Sequence, residues 1–216
     1  MSRLAVLALL LALPLAQAAP PADAQQRLDR AVIDHAEGRL GSARIAFERL
    51  AREGVPAAAY NLGTMALDGP GGGNPRAARR WFERAAAGGF VTAMLALGQL
   101  HESGRLGKAD LVASQRWNLQ AAEAGSVDGA LAAGTAYYLG RGADKRPAEA
   151  ARWFREAAKG GDVGAQYLLA SMYEQGDGVA RDLRLARYWY DIAAKNGDEA
   201  APGKLREIDA RLAAGV

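Results

Sequence analysis

The 216-residue chain contains no cysteine, and that absence removes three possibilities at once. There is no disulfide framework, no thiolate set for a structural metal and no thiol nucleophile. Histidine is nearly as scarce, with His35 and His101 alone. His101-Glu102 begins like a zinc motif, but Arg105 stands where the second ligand is needed. His101 is therefore expected to be a packed, hydrogen-bonded side chain, and no metal or cofactor is expected. Neither sign of charge dominates: 27 Lys and Arg against 24 Asp and Glu leave a formal net charge of +3, which does not imply nucleic acid. Aromatic residues make up only 7%, yet a hydrophobic content of 50% marks a folded chain.

Long apolar runs are also lacking, with one exception at the start. Arg3 precedes the apolar stretch Leu4 to Leu15, and Ala16-Gln17-Ala18 follows it as a small-x-small site. This is the pattern of a secretory signal over residues 1–18, cleaved after Ala18. The run is well short of the roughly 20 residues that a spanning helix needs, so no membrane insertion is expected after cleavage. A periplasmic location follows, with full secretion as the alternative.

What the chain does have is a ruler. Trp81, Trp117, Trp153 and Trp189 recur every 36 residues. Each is followed by an Ala-Ala pair, beginning at Ala85, Ala121, Ala157 and Ala193, and then by a glycine. Such a period denotes stacked copies of one unit. Four full units span 55–89, 90–125, 126–161 and 162–197, each predicted as two helices. The first helix of each carries paired small residues (Ala58 and Gly63, Ala93 and Gly98, Gly129 and Gly134, Ala165 and Ala170) that let backbones approach closely. Gly69, Gly104, Gly140 and Gly176 suit a left-handed helix end. Pro75 and Pro147 fit a first turn, and Asp110 and Asp182 fit N-caps. The tryptophans are read as posts, each ring filling the space between a second helix and its neighbours.

Residues 25–54 form a shorter, diverged pair. Its first helix has Leu28, Ala31, Val32 and His35 on one side. Its second, capped by Ser42, has Ile45, Phe47, Leu50 and Ala51 as apolar positions. Residues 198–216 depart from the repeat, and Leu205, Ile208 and Leu212 on one face read as a terminal capping helix.

The stretch Ala165-Gln166-Tyr167-Leu168-Leu169-Ala170-Ser171-Met172-Tyr173-Glu174-Gln175-Gly176, followed by Ala186-Arg187-Tyr188-Trp189-Tyr190, resembles the Sel-1-like repeat, a relative of the tetratricopeptide repeat. Residues 25–54 resemble a plain tetratricopeptide unit. Ala66 and His101 depart from the pattern's tyrosine, and Ala170 departs from its glycine. The resemblance implies an all-α, right-handed solenoid of helix pairs that serves as an adaptor. Cysteine-rich secreted members suggest a second role, β-lactam binding or hydrolysis, but they staple each unit with a cysteine pair that this chain lacks.

Chemistry is sparse. The glycine-rich stretch Gly69-Pro70-Gly71-Gly72-Gly73-Asn74 lacks the Lys-Ser/Thr of a phosphate cradle and follows a helix, so it reads as an inter-helix loop. No serine sits in a nucleophile elbow, and Glu83, Glu149 and Glu156 read as a solvated, ion-paired face. No catalytic residue is assigned. Arg80, Arg116 and Arg152, each preceding its tryptophan, form a column whose stems cover apolar surface or whose charges meet an acidic partner. The expected working surface is the concave groove lined by first helices. Its candidate positions are Asn61, Thr64, Gln99, Glu102, Thr135, Tyr138, Ser171 and Glu174, which vary between units. Amides, hydroxyls, carboxylates and one aromatic suit a peptide or protein strand. The expected molecule is thus a monomeric, non-enzymatic scaffold. A β-lactam enzyme and a peptidoglycan or glycan binder are the alternatives, disfavoured by the missing cysteines and the few groove aromatics.

Overall fold

The structure, a computed structural model, describes residues 22–69 and 73–215. The signal segment 1–18 and residues 70–72 of the glycine-rich loop lie outside the described residues. Among the described residues there are eleven helices and no strand. An N-terminal pair, α1 (Ala24–Ala36) and α2 (Leu40–Arg52), precedes four pairs: α3 (Pro56–Leu67) with α4 (Pro75–Ala87), α5 (Val91–Glu102) with α6 (Leu111–Glu123), α7 (Val127–Leu139) with α8 (Pro147–Lys159), and α9 (Val163–Gln175) with α10 (Leu183–Lys195). A last helix, α11 (Ala201–Ala213), closes the stack. Each helix packs on the next along the chain, giving the solenoid.

Local chemistry sets the helix ends. Pro56, Pro75 and Pro147 occupy first turns, where a missing N–H costs nothing. The side chains of Asn74, Asp110, Ser126, Asp162 and Asp182 accept hydrogen bonds from first-turn amides, filling donors that the helix leaves orphaned. Gly140 (φ 71°) and Gly176 (φ 77°) end α7 and α9 in the left-handed region, where a side chain would be strained. The shorter α3 and α5 stop earlier, at caps Asp68 and Ser103. Gly104 (φ 71°) directly follows its cap and takes the left-handed conformation, whereas Gly69 follows its cap without doing so. The expected cap Ser42 also fails: α2 starts at Leu40, leaving Ser42 inside the first turn.

The core runs through the second helices, but one position along from the tryptophans. Phe82 and Phe154 are 1% exposed and Tyr190 is 0% exposed, whereas Trp81, Trp117 and Trp189 are only half-buried and Trp153 alone reaches 6%. Neighbouring helix positions point about 100° apart. The buried face carries Ala78, Phe82, Ala85 and Ala86, and Trp81 lies at its margin. Trp81, Trp117 and Trp189 flank the core, and Trp153 alone of the four belongs to it. Two of them serve as platforms for arginine: the Arg84 guanidinium lies 5.9 Å from the Trp81 ring, and that of Arg152 lies 4.7 Å from Trp153.

The inward rings press on bare backbone. A Cβ on Gly63 would lie 2.4 Å from the Phe82 ring, and one on Gly134 would lie 2.7 Å from Phe154. Between units, buried Gln166 donates to the Ala158 carbonyl at 3.2 Å and accepts from Asn196 at 3.0 Å, tying α9 to α8 and to the end of α10. At the C-terminus Ala201 and Ile208 are fully buried, with Leu205 and Leu212 half-buried beside them, as a capping helix requires. The N-terminal pair differs from expectation. Val32 is 44% exposed and Ile45 67% exposed, and His35 is also exposed. Val32 and His35 lie off the buried α1 stripe of Ala24, Leu28 and Ala31, and Ile45 lies off the α2 stripe of Ala43, Phe47, Leu50 and Ala51.

Phe154→Ala is expected to cost about 3–5 kcal/mol in urea unfolding, as for other fully buried rings. Trp117→Ala, half-buried, is expected to cost less than half as much. A larger loss at Trp117 would show that the assigned core face is wrong.

Candidate binding face on the first helices

The eight candidate positions do not share one environment. Asn61, Thr64 and Thr135 are half-buried and turn back on their own helices, donating to the carbonyls of Ala57, Asn61 and Leu131, each at 2.8 Å. The two hydroxyl donors are spent, whereas Asn61 keeps one amide N–H, and all three oxygens keep acceptor capacity. Gln99 and Glu102 are exposed on α5. Tyr138 packs 6.2 Å from the Phe154 ring, and the Lys145 ammonium lies 5.7 Å from its ring centre. Ser171 accepts from Gln175 at 3.0 Å.

Glu174 is engaged within the molecule. Its carboxylate accepts from Tyr190 Oη at 2.9 Å and from Arg211 Nη1 at 2.7 Å, with Lys204 Nζ at 3.8 Å. The side chain is only 11% exposed. Glu174 therefore fastens α9 to α10 and to the capping helix. Burial, then the hydrogen bond to Glu174, push the Tyr190 phenol well above its ordinary pKa, so it remains a donor throughout the physiological range.

Two candidates converge on a cavity. Glu102, on the last turn of α5, and Thr135, on α7, line a hollow of about 320 Å³ whose other wall is α6. Polar groups dominate that wall: Ser114 and Gln115, each 4% exposed, and half-buried Asn118. Asp128, in the first turn of α7, and Arg141, just beyond its end, stand at the edges. Arg141 pairs with Glu102 at 3.4 Å. The sequence reading missed Ser114, Gln115, Asn118, Asp128 and Arg141. The signal was available at the same 36-residue step: position 118 is Asn where positions 82, 154 and 190 are Phe, Phe and Tyr.

The outer carboxylates behave as expected, with Arg79–Glu83 at 3.5 Å, Arg152–Glu149 at 3.5 Å and Lys159–Glu156 at 3.0 Å. Arg80, Arg116 and Arg152 are all exposed. Among the described residues no group of three or more His, Asp or Glu could hold a metal ion. His101 is half-buried on α5.

The sequence model of one family, the Sel1 repeat, matches residues 56–90, 91–126, 127–162 and 163–198. No curated protein matches the chain. Among solved structures, a protective antigen present in uropathogenic Escherichia coli strains, which displays an SLR fold, superposes with a TM-score of 0.76 at 28% identity, over 86% of this chain and 41% of that one. A Sel1 repeat protein from Oxalobacter formigenes gives a TM-score of 0.68 at 31% identity, over 77% of this chain and 49% of that one. The chain thus spans less than half the length of either structure.

Glu174→Ala is expected to lower stability by about 1–3 kcal/mol, because a phenol and a guanidinium lose their acceptor. Amide exchange in α11 is expected to accelerate most. Unaltered exchange there would show that the Glu174 cluster does not hold the cap.

Proposed function

The chain belongs to the Sel1-repeat family, and on that basis we propose that it is a non-enzymatic scaffold of the cell envelope that binds a protein or peptide through its concave face. Sel1 repeats are typically protein-interaction scaffolds, and solenoids of this kind work through extended concave surfaces. The observation that carries the proposal is the cavity between α5, α6 and α7. It joins two first-helix positions chosen for their variation, Glu102 and Thr135, to a polar wall in the middle of the stack. Repetition elsewhere serves packing; here it gives way to side chains that packing does not require.

Export supports the envelope setting. Arg3, the apolar stretch to Leu15 and the Ala16-Gln17-Ala18 site form a complete secretory pattern. No described helix is long and apolar enough to cross a membrane. The working molecule in this proposal is a periplasmic monomer that starts at Ala19 and needs no cofactor.

Affinity capture tests the proposal with the protein isolated from the envelope fraction, its N-terminus checked at Ala19. Gln99→Arg with Asn61→Ala alters the first-helix face outside the cavity. Arg80→Glu with Arg116→Glu reverses charge on the other side. The expected result is a captured partner reduced about tenfold or more by the first pair and unchanged by the second. Loss with the second pair alone would move binding to the arginine column. Absence of any captured partner would overturn the scaffold reading.

A further inference from the structure

The second helices follow one rule with one exception. At the first core position Ala78, Ala150 and Ala186 are matched by Ser114; at the ring position Phe82, Phe154 and Tyr190 are matched by Asn118. The backbone is prepared for a ring all the same. Gly98 stands opposite Asn118 as Gly63 stands opposite Phe82, and a Cβ on Gly98 would lie 2.5 Å from Asn118 Oδ1. An amide therefore occupies the seat of an aromatic ring, and the space beside it is the cavity of about 320 Å³. A fold that needed only stability would fill that space with carbon.

The hydrogen-bond inventory of the wall says what the cavity takes. Gln115 Nε2 donates to the Ala133 carbonyl at 3.3 Å, which fixes the amide orientation; Gln115 Oε1 has no partner among the described residues. Asn118 Nδ2 is directed at Ser114 Oγ at 3.5 Å, and the Thr135 hydroxyl donates to Leu131. One N–H of each amide and the Thr135 hydroxyl are engaged, while Gln115 Oε1 is left as a buried acceptor without a partner. The edge carries two carboxylates, Asp128 and Glu102, against one guanidinium, Arg141, which lies on Glu102. Asp128 has no ion-pair partner among the described residues. A polar wall with one unpaired buried acceptor and an edge of excess negative charge favours a ligand that brings N–H donors and positive charge. An acidic or purely apolar group would leave Gln115 Oε1 unsatisfied and meet Asp128 unfavourably.

We propose that this cavity is the specificity pocket of the concave face and receives an arginine or lysine side chain of the bound peptide, with Asp128 as its counter-charge and Gln115, Asn118 and Thr135 as its polar floor. This rests on the scaffold reading above and names the chemistry its partner must present. A cation paired with Asp128 at the rim and donating to the amide wall uses acceptors that the fold itself leaves open.

Blocked alanine pentapeptides with a central arginine, lysine, glutamine or glutamate provide the probes, titrated calorimetrically into the mature protein. The basic peptides are expected to bind about tenfold or more tightly than the glutamine peptide, with the glutamate peptide weakest. Asp128→Asn, an exposed change that leaves the fold alone, is expected to erase most of that preference. Asn118→Phe with Ser114→Ala fills the seat as the other units do. It is expected to keep its helical spectrum and lose binding of the basic peptides about tenfold or more. Equal binding of all four peptides, or an unchanged preference in Asp128→Asn, would overturn the assignment. If the partner captured from the envelope is still lost on changing Gln99 and Asn61 while basic peptides fail to bind, the pocket assignment falls and the scaffold reading stands.

Discussion

The structure depends on one close approach: in the first and third full units an aromatic ring from the second helix is set against glycine backbone of the first. Phe82 on Gly63 and Phe154 on Gly134 leave no space for even one added carbon. Rings in such seats bury large apolar areas on short helices that could not hold together alone. Helices of 12 or 13 residues gain their stability from this packing, and the alanine pairs let the next unit settle equally close. The 36-residue period is the sequence record of that seat, repeated until the capping helix covers its last copy.

The second full unit breaks the rule without breaking the fold. Gly98 keeps the seat, Asn118 occupies it with an amide, and Ser114 adds a hydroxyl beside it. The consequence is polar surface in the centre of the stack, where a binding partner spanning several units would pass. A cost in local packing at that point makes sense only where the open space is used. The binding pocket we propose lies at this exception, with Glu102, Thr135 and Asp128 at its edges.

Much of this was legible in the sequence because periodicity and end signals are local. Prolines at first turns and Asp110 and Asp182 as caps declared themselves residue by residue. Which of two adjacent aromatics faces inward did not: Trp81 and Phe82 differ by one position, and both are large enough to be posts. The repeat made the tryptophans conspicuous, while the residue one position on varies among Phe, Tyr and Asn and hides its own column. The internal pairing of Glu174 was not legible because Arg211 lies 37 residues away, and only the fold brings them to 2.7 Å. The cavity was missed because it is a missing side chain, and the sequence reading listed what varied on first helices instead of what lapsed on second ones.

If the ring on glycine sets the local strength of each unit, the unit without a ring must be the weakest joint of the interior. Native-state hydrogen exchange read helix by helix tests this most directly. The account predicts that amides of α5 and α6 open at a free energy at least about 1 kcal/mol below those of α3, α4, α7 and α8. Uniform protection across these six helices, or slowest exchange in α5 and α6, would contradict it.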